Sequence, residues 1–279
     1  MRKSIRSLAV PALAGVVREK SAALAVAAVK NSVYAGADMI DLHLSTLEDI
    51  SREALERIIA ASNVPVLALN YNAKLDWSGA GFDEDGRTEL LLAAVRAGAS
   101  GVDMQGYTFH APSKDAFFGD DKYSFTKCKP KEVVTDSAVI DRQLEFMERV
   151  RAEGGEVLLS CHPGVHMTCD EVVELALFLE KRSPDIIKIV TKAESEDDVP
   201  AAIATMQKLC REVKTPVAYH MNGSFGVPTR ILCPLFGGKI AFCVERFGEG
   251  STPEQIDLRA AKEVKSCALF KVMSFLRNE

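Results

Sequence analysis

The chain has no apolar run approaching the roughly 20 residues that cross a bilayer, which excludes a helical membrane span as its organising element. It has no C-x-x-C pair either. Its seven cysteines (Cys128, Cys161, Cys169, Cys210, Cys233, Cys243 and Cys267) are odd in number and scattered. That pattern argues against a disulfide framework and a zinc cluster, and reads as reduced thiols in a cytoplasmic protein. Positive charge is not in excess: the net charge is −5 and the pI about 5.7, which argues against nucleic acid or an anionic membrane surface as partner. Low-complexity tracts and obvious linkers are missing, and no G-x-G-x-x-G follows the first apolar run, so the open dinucleotide-binding sheet lacks its signature.

What is present is ordinary globular composition, 47% apolar and 26% charged over 279 residues. The opening "MRKSIRSLAVPALAGVVREKSAALAVAAV" places basic residues before an apolar stretch, as a signal peptide does. Pro11 and the charged Arg18-Glu19-Lys20 break that stretch, and its first half reads better as a strand.

Short aliphatic runs alternate with longer amphipathic ones along the whole chain. The runs are Ser7–Leu13, Met39–Leu44, Val64–Asn70, Gly101–Gln105, Glu156–Cys161, Asp185–Val190, Pro216–His220 and Lys239–Val244. "TCDE" at Thr168–Glu171 has the form of a capping box opening a helix, and "STPEQ" at Ser251–Gln255 is expected to open the last one. Eight strands each followed by a helix predict a single (β/α)8 TIM barrel spanning 1–279. One connection, 106–133, is far longer than the usual βα loop and carries aromatics, as a lid or a packed surface insertion would.

In such a barrel the chemistry sits at the C-terminal ends of the strands. This directs attention to Asp41, His43, Tyr71, Gln105, His162, Lys188, Lys192 and His220. Lys188 lies inside the aliphatic run of "DIIKIVTKAESEDD", where an ammonium costs several kcal/mol unless compensated. A desolvated lysine, or one beside another cation such as Lys192, becomes partly neutral and can attack a carbonyl to form a Schiff base. Pairing with a carboxylate such as Asp41 would explain it equally well. His162, at the tip of the preceding strand, falls close to Lys188 and could move a proton alpha to an imine. Metal chemistry has little support: Pro163-Gly164 between His162 and His166 prevents regular i, i+4 helical ligation, and an Asp41–His43 pair facing substrate is commoner than a cation site.

These residues resemble the type I 3-dehydroquinate dehydratases, TIM barrels that use a lysine Schiff base and neither metal nor cofactor. "SCHPG" looks like the family's S-x-H motif, "DIIKIVTKAESEDDV" like its imine-lysine strand, and "MNGSFGVPTR" like its M-G-x-x-G-x-x-S-R, one residue longer at its start. "GSTPEQ" is similar to the mobile S-x-P-x-Q loop. The resemblance implies His162 as general acid/base, Lys188 as the imine lysine, and Arg230, Ser251 and Gln255 as holders of a substrate carboxylate. It also implies a shikimate-pathway lyase that eliminates water, in the form of a homodimer.

The first half departs from that pattern. Where the family has Glu-x-Arg at the second strand, this chain has Asp41 and His43; where the third strand ends in arginine, it has Tyr71. The fourth strand's Asp-x-Glu, whose glutamate pairs with the histidine, becomes "VDMQG" with Gln105. The substrate expected is therefore a cyclic keto carboxylate, 3-dehydroquinate or a relative with different ring substituents, contacted by Asp41, His43, Tyr71 and Gln105. A different lysine-imine reaction, such as a class I aldolase's, and a non-catalytic sensor on the same barrel are the competing readings.

Overall fold

The computed structural model describes residues 2–71, 84–109, 133–248, 251–252 and 254–267. Its elements alternate as β1 (Ala12–Val17), α1 (Ala22–Ala35), β2 (Met39–His43), α2 (Arg52–Ala60), β3 (Val66–Leu69), α3 (Glu84–Arg96), β4 (Gly101–Gln105) and α4 (Ser137–Ala152). There follow β5 (Glu156–Cys161), α5 (Cys169–Glu180), β6 (Ile186–Lys192), α6 (Asp198–Glu212), β7 (Val217–Asn222), α7 (Thr229–Leu235), β8 (Ile240–Val244), β9 (Ile256–Asp257) and α8 (Leu258–Ser266). All the strand pairings are parallel, in the order β7-β6-β5-β4-β3-β2-β1-β8-β9.

The sheet curls into a barrel because β1 pairs on one side with β2 and on the other with β8. The remaining seam lies between β7 and β8. No ladder forms there among the described residues, and one backbone hydrogen bond, Lys239 N to Val217 O at 2.8 Å, bridges the two strand starts. The alternating pattern of the sequence therefore predicts the fold correctly. The long connection and its possible lid fall almost wholly on 110–132, outside the described residues, as does Cys128.

Local chemistry sets the element ends. Ser21, Ser51, Asp136 and Asp257 accept a backbone N–H as N-caps, and Thr168 with Glu171 forms the full capping box expected from "TCDE". The last helix differs from expectation. It is opened by Asp257 rather than by Ser251–Gln255, because the two-residue strand β9 is interposed. Gly101 is required by close packing: a Cβ there would meet Glu156 O at 2.4 Å.

The first strand is also shifted. Residues 7–10 are not in β1; they run beneath the barrel, where Glu156 accepts from the backbone of Ile5 (2.7 Å) and Arg6 (3.0 Å), and Lys239 Nζ donates to Arg6 O (2.9 Å) and to Leu8 O. Ile5 is buried against Ala12, Met39, Leu67, Leu158, Ile186, Ala218 and Ile240, which together make an apolar floor inside the barrel. Helices pack around the outside on a second, larger apolar layer. Above the floor, the period of two that points Ile186 inward also points Lys188 inward. No helix among the described residues is long and apolar enough to cross a membrane.

Candidate active site

Strand register places a polar layer directly above the apolar floor. Ser160 on β5 pairs in register with Lys188 on β6, which pairs with Ala218 on β7; Gln105 on β4 pairs with Ser160. The inward side chains at this level are Asp41 and His43 from β2, Asp103 and Gln105 from β4, Ser160, Lys188 and His220, all buried.

Lys188 is only 6% exposed. Its Nζ lies 3.4 Å from Asp103 Oδ2, 3.5 Å from the Tyr71 hydroxyl and 4.3 Å from the centre of the Phe242 ring, which attracts the ammonium through its π face. The charged neighbour beside it is therefore a carboxylate, and Lys192, expected as a nearby cation, is exposed at the strand end. That carboxylate is not Asp41, whose Oδ2 lies 3.7 Å from His43 Nε2. Asp103 is the site residue that motif reading passed over. Its signal was available: it stands two positions before Gln105, hence on the same face of β4.

Tyr71 follows β3, and its hydroxyl lies 3.3 Å from His162 Nε2. The rings of Tyr71 and His162 meet edge-on with centroids 5.7 Å apart, and His43 lies 6.0 Å away on the other side. Gln105 does not take up the role of histidine partner. Its Oε1 accepts from Arg87 Nη1 at 2.5 Å, and its Nε2 donates to Asp103 O at 2.9 Å and Oδ1 at 3.3 Å. Arg87, from α3, is 1% exposed and also reaches Asn70 O, Thr108 and Glu84. Sequence alone carries no signal that this helix arginine props the site.

His220 completes the mouth. Burial, reinforced by the Arg230 and Lys188 cations, holds its imidazole well below the usual histidine range, so it stands neutral at physiological pH. Arg230 itself is pushed down by burial, against the opposing field of Glu254. It donates to Asn222 Oδ1, while its Nε is buried without a partner. Asp41 Oδ1, His43 Nδ1 and Ser160 Oγ are likewise buried and unpartnered. Ser251 and Gln255 bond within their own turn: Ser251 Oγ donates to Gly248 O (2.8 Å), and Gln255 Oε1 accepts from Thr252 N (3.0 Å). His166 pairs with Asp198 at 3.0 Å, away from His162's partner. No cluster of metal-binding type is present among the described residues, and no disulfide joins the six described cysteines.

Fold and site together define a parallel α/β barrel with a buried lysine, a histidine and an arginine converging at its C-terminal mouth. The sequence profile of the type I 3-dehydroquinase family matches residues 132–268, the half of the chain that holds all three. The 3-dehydroquinate dehydratase of Methanothermobacter thermautotrophicus is 24% identical over 248 residues, 89% of this chain and 93% of that protein. The bifunctional 3-dehydroquinate dehydratase/shikimate dehydrogenase of Arabidopsis thaliana is 25% identical over 79% of this chain, which spans only 31% of that longer protein. The crystal structure of 3-dehydroquinate dehydratase from Geobacillus kaustophilus shares the fold at a TM-score of 0.73, covering 100% of this chain and 97% of that one, at 15% identity. The chain is thus similar to the type I 3-dehydroquinase family over residues 132–268 and, at 24% identity, to a 3-dehydroquinate dehydratase along most of its length.

Proposed function

We propose that the protein is a Schiff-base-forming hydro-lyase that eliminates water from a cyclic keto carboxylate, 3-dehydroquinate or a relative with other ring substituents. The observation that carries this reading is Lys188: a lysine 6% exposed, aimed into the barrel mouth, with a proton-transferring pair beside it. Its amine condenses with the ketone, and the resulting iminium acts as the electron sink. His162 removes the proton alpha to it and returns a proton to the departing hydroxyl. Nothing in this sequence requires a metal or a cofactor.

Arg230, with its unpartnered Nε, supports a role as the carboxylate's partner; Ser251 and Gln255 join it on this reading by exchanging their internal hydrogen bonds for substrate. Asp41 and His43, on the opposite wall, offer unpartnered polar atoms to ring hydroxyls, and Gln105 acts on substrate through Asp103, which it holds. The reading carries with it a cytoplasmic homodimer serving the shikimate pathway, built on one barrel domain. The test is intact-mass spectrometry after borohydride treatment with 3-dehydroquinate. We expect an adduct on the wild type that vanishes in Lys188→Ala. An adduct that survives in that variant would place the imine elsewhere and defeat the reading.

A further inference from the structure

The hydroxyl of Tyr71 stands between the two groups that must exchange protons, 3.5 Å from Lys188 Nζ and 3.3 Å from His162 Nε2. Both distances are long for hydrogen bonds, as catalytic contacts are before substrate closes over them. An ammonium has only protons to offer, so towards Lys188 the tyrosine oxygen accepts. Its single O–H is then directed to His162 Nε2, which must be the unprotonated nitrogen, leaving the imidazole proton on Nδ1. Gln105 cannot supply this orientation, since both ends of its amide are engaged by Arg87 and Asp103. Other titratable or charged groups face the same space: Asp103 from β4, Asp41 and His43 from β2, His220 from β7, and Arg230 beyond it. His220 is neutral, and none of these groups lies between lysine and histidine in the way the tyrosine does.

We infer that Tyr71 is a proton relay that couples Lys188 to His162, a role that rests on the imine reading above. At the start a lysine N–H breaks with its electron pair staying on Nζ. That proton passes to the tyrosine oxygen while the tyrosine's own proton passes to Nε2. The products are a free amine, an unchanged tyrosine and an imidazolium. The amine forms the C–N bond to the ketone carbon, the carbonyl π pair moves onto oxygen, and that oxygen takes the proton from the imidazolium. The nitrogen, now carrying an extra proton, returns it to His162 by the same route. His162 protonates the carbinolamine hydroxyl, which leaves as water while the nitrogen lone pair closes the iminium. Protons and charge balance: one lysinium and one ketone give one protonated imine and one water.

Tyr71→Phe keeps the ring and deletes the relay. Two readouts are needed. In the ligand-free protein, 15N NMR of the imidazoles should show His162 in the Nδ1–H tautomer, losing that preference in Tyr71→Phe. With 3-dehydroquinate as probe, the rate of borohydride-trappable adduct formation and kcat should both fall about 100-fold, the scale of a lost acid–base group, with KM changed less than about threefold. Unchanged His162 resonances overturn the contact. A loss confined to KM, or an unchanged trapping rate, overturns the relay and leaves Tyr71 a substrate contact. A wild type that traps nothing defeats the imine reading, and the relay falls with it as a catalytic device even where the NMR contact is intact.

Discussion

At the residue scale the site is governed by how buried ionisable groups are compensated. His220 is buried among cations with its imidazole held far below 6.5, whereas in the unfolded chain it titrates at about 6.5. Between those values the unfolded chain binds more protons than the folded one. Stability therefore rises with pH there, and is lost as pH falls below the unfolded value. The contribution is at most about 1.4 kcal/mol per pH unit. In urea unfolding at pH 7 and pH 5, the wild type should lose more stability than His220→Gln, and equal losses would contradict the neutral buried histidine. Residues of this kind were only partly legible in the sequence. Lys188 stood out as a charge inside an aliphatic run, and His162 at a strand tip beside it. Asp103 was masked by the more conspicuous glutamine two positions on. The Tyr71 contact depends on two loop ends meeting across β4, which no local pattern encodes.

Elements position these residues, and one helix does so from outside the sheet. Arg87 reaches from α3 to Asn70 O, adjacent to Tyr71, and to Gln105, which in turn holds Asp103. Glu84 binds the same guanidinium at 2.5 and 3.0 Å. Replacing Arg87 with methionine strands the Glu84 carboxylate and the Gln105 carbonyl. With the Glu84 side chain 20% exposed, the cost belongs near the low end for breaking a buried ion pair, about 3 kcal/mol. Chemical denaturation of Arg87→Met should show that loss, together with a fall in trapping rate beyond what the unfolded fraction explains. A variant that traps at the wild-type rate while folded would remove α3 from the positioning of the site. The same scale shows where sequence reading of elements runs out. Apart from the first, the alternating apolar runs matched the barrel strands to within two residues, because burial on both faces of a parallel sheet leaves little else that such runs can be. The first run was displaced because the segment around it is held under the barrel, at Ile5 and Arg6 by Glu156 and at Arg6 and Leu8 by Lys239, partners distant in sequence. The last helix began late because a box of the form T-x-x-Q also closes an isolated turn.

At the scale of the whole molecule, the two anchors of the proposed reading lie near the least-bonded joint among the described strands. The order of strands leaves β7 and β8 bridged at their starts by the Lys239–Val217 bond. Arg230 sits on α7, the helix that connects those two strands, while Lys188 lies on β6. A keto carboxylate held by both ties β6 to α7 and so braces the barrel where its hydrogen bonding is thinnest. Any ligand that binds only the folded state adds about 2.7 kcal/mol at a concentration of 100 Kd. For a chain of this size that corresponds to a rise in Tm of about 5 °C. We expect 3-dehydroquinate to raise the wild-type Tm by that amount, and Arg230→Met to show less than half the rise at the same concentration, because the methionine offers the carboxylate no donor. Lys188→Ala should keep part of the rise, since the carboxylate anchor remains. If Arg230→Met were stabilised as strongly as the wild type, the carboxylate would have to be held by another part of the mouth, and the unpartnered Arg230 Nε would lose its assignment.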